Sequence, residues 1–389
     1  MRKYSALLLV LVIIVISGCT NNLYSNKDST NSTTSNSSET QTQSQPIENS
    51  NKSTDASKNA EVAENSQKTE VVDNSQKPEV VAIDYNQVKP DESGQIMVVM
   101  FHSFVEAYPT KGDNAYTTTF AEFRKLLPEL YEKKYRLISL TDMLNNNIDV
   151  PAGCIPMVFT FDDGTVGEFN LVEQDGKLIA NPESAVGIME AFNENHPDFG
   201  LKGTFYVNLG NKSTFKGAGT MSDRLNYLIN KGFEIGNHTK NHVFLPDVQT
   251  SQQMLEEVGG NQKLMNEFVP GYTFNSFSLP FGNASKNLKE YVIGGNYEGT
   301  EYKHLAIMSV GAGPAPSPVS TKFNPLAFPR VRSTGIKKVE CDLAWWLDNL
   351  SKGKSQYVSD GDANTVTIPQ SKQQKVDMAK LNGKQLITY

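Results

Sequence analysis

Thr160-Phe161-Asp162-Asp163-Gly164 ends an apolar run with two adjacent carboxylates and a glycine, and His238-Thr239-Lys240-Asn241-His242 follows well downstream. A hydrolytic zinc site commonly takes three protein ligands and leaves a fourth position for water or substrate, and two histidines with one carboxylate make such a set. Asp163, His238 and His242 fit it. Histidines four residues apart meet on one side of a helical turn, or of a tight loop that follows one, so both rings can face one ion. Asp162 is left over. A second carboxylate there is placed to take the proton that a water loses on attacking a carbonyl, and a neighbouring cation keeps it ionised. Alone, Asp-Asp-Gly after a strand also reads as a turn or a helix start, and the histidine pair alone is an equally short motif. Together, each at the end of a predicted strand, they point to chemistry.

The elements that must position these groups alternate. Short apolar runs at 96–101, 155–161, 203–207, 233–235, 274–279 and 305–310 read as strands. Between them lie helical patterns. Over 120–133, Phe120, Phe123, Leu127, Leu130 and Tyr131 recur at helical spacing, and a second helix runs over about 251–268, where Thr250 three before Gln253 forms a capping box. Alternating βα units give an α/β fold, a parallel sheet with helices outside. Periodicity alone leaves an open doubly wound sheet and a closed barrel both standing.

The segments 160–164 and 238–242, with the later Ser278-Leu279-Pro280-Phe281-Gly282, resemble the ordered motifs of the metal-dependent polysaccharide deacetylases, carbohydrate esterase family 4, over roughly 95–335. The resemblance implies a distorted (β/α) barrel of about seven parallel strands. It also implies that Asp162 is the general base, that Asp163, His238 and His242 bind a divalent metal, and that Pro280 and Phe281 line the substrate site. Zinc suits that ligand set.

Two departures from the family pattern stand out. Its proline motif opens with an arginine that orients the base, and Ser278 occupies that position here. Arg330, in Phe328-Pro329-Arg330-Val331-Arg332, is a candidate for the task, since a guanidinium grips a carboxylate with two bonds; it reads equally as a surface arginine at a strand end. The family's late histidine, which protonates the leaving amine, is also missing, because no histidine follows His304. His102 is the candidate acid. It ends the strand 96–101, at the side of an α/β barrel where active sites collect. That strand resembles the Tyr-His strand opening the circularly permuted poly-N-acetylglucosamine branch of the family, with Phe101 in place of tyrosine; otherwise His102 merely caps a strand. Tyr206, with Phe215, offers aromatic faces for a pyranose ring, whereas Trp345 and Trp346 lie at helical spacing and read as core.

Arg2 and Lys3 precede an apolar segment over 6–16 that is short for a membrane span and suited to a signal-peptide core. It runs into Ile16-Ser17-Gly18-Cys19, which resembles a bacterial lipobox and implies lipidation at Cys19. The domain reading is a lipoprotein signal peptide over 1–19, a disordered Ser/Thr/Asn/Gln-rich linker over 20–92 and a deacetylase domain over 93–389. The linker composition cannot bury enough apolar surface to fold. The expected location is the outer, extracytoplasmic face of a cell membrane, held through the lipid. A formal net charge of −7 and a pI near 5.4 argue against a nucleic-acid partner, and no obligate protein partner is evident. Cys154 and Cys341 either pair or sit buried. The expected activity is removal of N-acetyl groups from a cell-envelope or extracellular polysaccharide containing N-acetylglucosamine. The competing readings are a surface lipoprotein that binds carbohydrate without turnover, and a metal-dependent hydrolase of another amide or ester.

Overall fold

Ile155–Asp162 is apolar at every second position and polar only near its end, the pattern of a strand buried on both faces. In the computed structural model, which describes residues 83–389 apart from 112–113, 336, 338 and 353–354, this strand is central to a closed barrel. The signal-like segment, Cys19 and the linker as far as residue 82 lie outside the described residues.

Seven parallel strands close the ring: β1 Met97–Phe101, β2 Ile155–Asp162, β3 Thr204–Val207, β4 Glu234–Asn237, β5 Ser276–Ser278, β6 Ala306–Ala312 and β7 Phe328–Arg332. β1 pairs with β7 on one edge, with Val99 opposite Val331, and with β2 on the other, with Phe101 opposite Phe161. An eighth strand, Tyr135–Leu137, pairs with the first half of β2. This is the barrel that the resemblance implies, and closure excludes the open sheet. The register of β6 against β7 breaks between Met308 and Ala312, an irregularity of the kind that re-aims side chains at barrel rims.

Strand parity separates two cores. Met97, Val99, Phe101, Met157, Phe159, Phe161, Phe205 and Val207 point outward into one cluster with the helices. Val98, Val158, Ala306, Met308 and Phe328 point inward and plug the barrel. The helix Phe120–Glu132 packs its apolar stripe on the outward set and starts at a Thr119–Glu122 capping box. Phe123 on that stripe is fully buried, and truncating such a phenylalanine to alanine costs about 3–5 kcal/mol. The helix Ser251–Phe268 begins at the Thr250–Gln253 capping box read from the sequence. No helix of the described residues is long and apolar enough to cross a membrane.

Residues 84–92, placed with the linker on composition, are folded. Asp84 caps the short helix Tyr85–Val88, and Glu92 is buried, accepting the Thr367 N–H at 2.8 Å and the Tyr357 hydroxyl at 3.1 Å. The Asp91 and Glu92 carboxylates bind backbone, hydroxyl and ammonium groups of the C-terminal segment, which composition cannot reveal. Cys154 is a free, buried thiol, so it does not pair with Cys341.

Candidate active site

The parity that turns Phe159 and Phe161 outward turns Thr160 and Asp162 into the barrel, and Ser278 and Arg330 face them from β5 and β7. All four are buried. Arg330 holds Asp162 with two bonds of 2.7 Å, one to each carboxylate oxygen. Its remaining donors go to the Thr160 hydroxyl at 3.1 Å, the Ser278 hydroxyl at 2.9 Å and the Ser309 carbonyl at 2.9 Å. Ser278 in turn donates to Asp162 at 2.9 Å. Burial alone would raise the Asp162 carboxyl, but the Arg330 charge and hydrogen bonds outweigh it and bring the pKa down to about 2. Ser278, at the position of the family's arginine, thus lies between the guanidinium that arrives from β7 and the carboxylate.

Asp163 and the two histidines converge on one point. The Asp163 Oδ1 atom lies 3.3 Å from His238 Nε2 and 3.2 Å from His242 Nε2, and the three ligand atoms are within 4.8 Å of one another. His238 donates from Nδ1 to the Ser278 carbonyl at 2.8 Å; since a carbonyl only accepts, Nε2 is left with its lone pair toward Asp163. Electron pairs gathered on an ionised carboxylate oxygen are what a divalent cation neutralises, so these residues fit one.

Backbone strain and buried amides support the convergence. Asp163, Thr239, His242 and Phe281 all have positive φ, at 82°, 65°, 56° and 57°, a conformation that costs a non-glycine residue about 1–3 kcal/mol and clusters at functional sites. Asn208 donates to the carbonyls of His238 and Thr239, while Asn261 ties Val207 to Asn237, at 2.8 and 2.9 Å. Glu168 accepts the Thr165 N–H at 2.8 Å and so holds the turn that carries Asp163. Sequence reasoning passed over Asn208, Asn237, Asn261 and Glu168. The one local signal was Asn237, a polar residue at the end of its strand and directly before His238.

His102 sits across from the histidine pair, with Nε2 3.8 Å from Asp162 Oδ2. Burial lowers its pKa, against the raising effect of the Asp162 and Asp163 charges. Pro280 is buried, and Phe281 beside it is 59% exposed, with its ring 4.7 Å from that of His242. A cavity of about 440 Å³ opens beside Asp163, lined also by Thr165, Val166, Asn208, Lys216 and His242. Tyr206 does not line it. Its place between outward-facing Phe205 and Val207 turns the ring into the barrel, where it is fully buried beneath the Arg330 guanidinium at 5.7 Å and donates to Ser276 at 3.0 Å. Phe215 is likewise fully buried, in the outer core. Both are corrected from sugar contacts to packing residues. His304, also buried, donates to the Val292 carbonyl and accepts from Asn237.

A profile of the polysaccharide deacetylase family matches residues 149–298. No curated protein matches the chain. Among solved structures, the chain is similar to a polysaccharide deacetylase from Bacillus cereus, at 17% identity over 61% of this chain and 64% of that one, with a TM-score of 0.44. It is similar to the Streptococcus pyogenes deacetylase PplD in complex with acetate, at 16% identity over 61% and 92%, TM-score 0.46, and to IcaB from Ammonifex degensii, at 15% over 62% and 92%, TM-score 0.43. The chain spans less than two thirds of the Bacillus cereus protein. The matched segment is the one that supplies Asp162, Asp163, His238, His242 and Ser278, and over it the chain is similar to the polysaccharide deacetylase family.

Proposed function

We propose that this protein removes N-acetyl groups from an extracellular or cell-envelope polysaccharide containing N-acetylglucosamine, in a metal-dependent hydrolysis. The observation that carries the reading is one arrangement. Asp163, His238 and His242 converge on a point flanked by Asp162, an ionised carboxylate, and by His102, a histidine that is not in the ligand set. A divalent cation held by those three residues, for which zinc suits the donors, supplies Lewis acidity toward the acetyl oxygen and makes a water acidic enough for a carboxylate as weakly basic as Asp162 to deprotonate.

Arg330 and Ser278 fix both Asp162 oxygens, so the carboxylate cannot rotate away and stays ionised throughout the neutral range. As water oxygen bonds to the acetyl carbon, Asp162 takes its proton; as the carbon–nitrogen bond breaks, His102 gives a proton to the departing nitrogen, yielding free amine and acetate. Phe281 presents an exposed ring beside His242, against which a pyranose face can lie. That Asp162 keeps an arginine, although from another strand, favours turnover over mere binding, since a binder needs no oriented base. Attachment to a membrane through Cys19 is part of the proposal and rests on the lipobox-like Ile16-Ser17-Gly18-Cys19.

The test is acetate release from N-acetylglucosamine oligomers and from peptidoglycan, before chelation, after it, and after zinc is restored, beside Asp163→Asn. Restored release that the substitution abolishes is expected, and the preferred polymer identifies the substrate class. Full zinc binding with no acetate from either polymer would overturn the reading.

A further inference from the structure

We propose that Tyr116, backed by Arg332, is the positioning residue of His102; the inference rests on the reading of His102 as the acid. Among the described residues no hydrogen bond sets the angle of that imidazole. Its Nδ1 is buried without a partner, and its Nε2 is 3.8 Å from Asp162, beyond hydrogen-bond range. Its ring packs on Tyr116, with centroids 4.9 Å apart and planes tilted by 56°.

Tyr116 is itself held, although 38% exposed. The Ser103 N–H donates to the Tyr116 carbonyl at 3.1 Å, and Ser103–Val105 then pairs in parallel with Thr117–Thr119. Thr119 then caps the helix Phe120–Glu132, so the backbone of Tyr116 is tied to the strand that delivers His102. Its ring also lies 5.2 Å from the Arg332 guanidinium. Arg332 is fixed by Asp342 through bonds of 2.9 and 3.1 Å, and Asp342 also accepts the Thr334 hydroxyl at 3.1 Å. Arg330 and Arg332 stand two apart on β7 and share a face of the strand. One grips the base, and the other braces the ring that bears on the acid. A guanidinium over an aromatic face is attractive, and what it restrains here is rotation of the imidazole away from the leaving nitrogen.

The experiment uses the full chain loaded with zinc and two substrates, an N-acetylglucosamine oligomer and para-nitrophenyl acetate. An amide leaves only with a proton, whereas para-nitrophenolate departs without one, so a misoriented acid harms the amide reaction selectively. Asp163→Asn, expected to abolish both reactions, establishes that both use one site. Tyr116→Ala should lower kcat for the amide about 10- to 100-fold, part of the 10²–10⁴ that general acid catalysis contributes, with KM little changed and a much smaller loss on the ester. Tyr116→Phe, which keeps the ring, should restore most of the amide rate, and Arg332→Met should show a milder loss of the same selectivity with zinc content intact. A raised KM with kcat preserved would make Tyr116 a sugar contact, and equal losses on amide and ester would make it a structural residue; either overturns the proposal. Failure of His102→Ala to impair the amide reaction would instead refute the acid itself, separately from how Tyr116 behaves.

Discussion

Replacing Arg330 by methionine, which keeps most of the volume, isolates what the guanidinium does for Asp162. The arginine is fully buried and makes five side-chain hydrogen bonds, two of them to Asp162. Removing one partner of a buried ion pair costs about 3–5 kcal/mol, because the other charge stays behind uncompensated. Of the 5–15 kcal/mol that folded domains typically hold, roughly a fifth or more would go. The pH dependence gives a sharper signature. In the native protein the Asp162 pKa falls from 3.8 to about 2, so the group contributes on the order of 2 kcal/mol that is present above pH ~4 and lost as pH drops through ~2. Without Arg330, burial is the largest effect left, opposed only by the Ser278 hydroxyl and the nearby His238 and His102, and should hold the carboxyl above 3.8. The unfolded chain then ionises before the folded one, and the variant's stability declines as pH rises from ~4. Urea denaturation followed by tryptophan fluorescence between pH 4 and 8, with metal chelated so that no cation replaces the lost charge, measures both effects. Combining the change with Asp162→Asn should recover part of the loss, since the stranded charge is then gone. A loss below ~1 kcal/mol at neutral pH, or a pH slope equal to that of the native protein, would refute the argument that this pair governs Asp162.

His102→Ala should keep full zinc content while amide turnover falls by about 10²–10⁴; a drop in zinc stoichiometry would make it a ligand instead. Phe281 combines a φ of 57° with 59% exposure, so Phe281→Gly should stabilise the fold, or leave it unharmed within ~1 kcal/mol, while raising KM for the polymer; an unchanged KM would remove the ring from the substrate site. Glu92 is a carboxyl raised to about 8, by burial first and by the Asp360 charge second. The unfolded chain releases that proton near 4.5 and the folded chain holds it, so this group makes stability fall as pH rises from ~4.5 to ~8. Glu92→Gln should flatten the slope in that interval, and an identical slope in chemical denaturation would show that the group does not titrate on folding.

The cluster of Asp163, His238 and His242 was legible as a candidate and most of its surroundings were not, for reasons that differ from residue to residue. A histidine spacing of four and a doubled aspartate are facts of the local chain, as are the apolar runs of β1 and β2 and the Thr250 capping box. Whether Arg330 reaches Asp162 depends on closure: β7 must pair with β1 and β1 with β2 before residues 168 positions apart can touch. Tyr206 and Tyr116 show the same limit in opposite directions. Tyr206 sits in a strand whose neighbours fix its parity, and reading that parity would have turned it inward; Tyr116 sits in a stretch without apolar rhythm, so nothing local marked it as the ring against His102. Asn208, Asn237 and Asn261 have the composition of turns and the work of a scaffold, because a buried amide both donates and accepts and can therefore join three strand ends at once. Their burial also explains why the strained residues are carried at all. Positive φ at Asp163, Thr239 and His242 points three ligating or flanking groups back over the barrel mouth, and a conformation that unfavourable persists only where the amides and Glu168 leave the backbone no alternative.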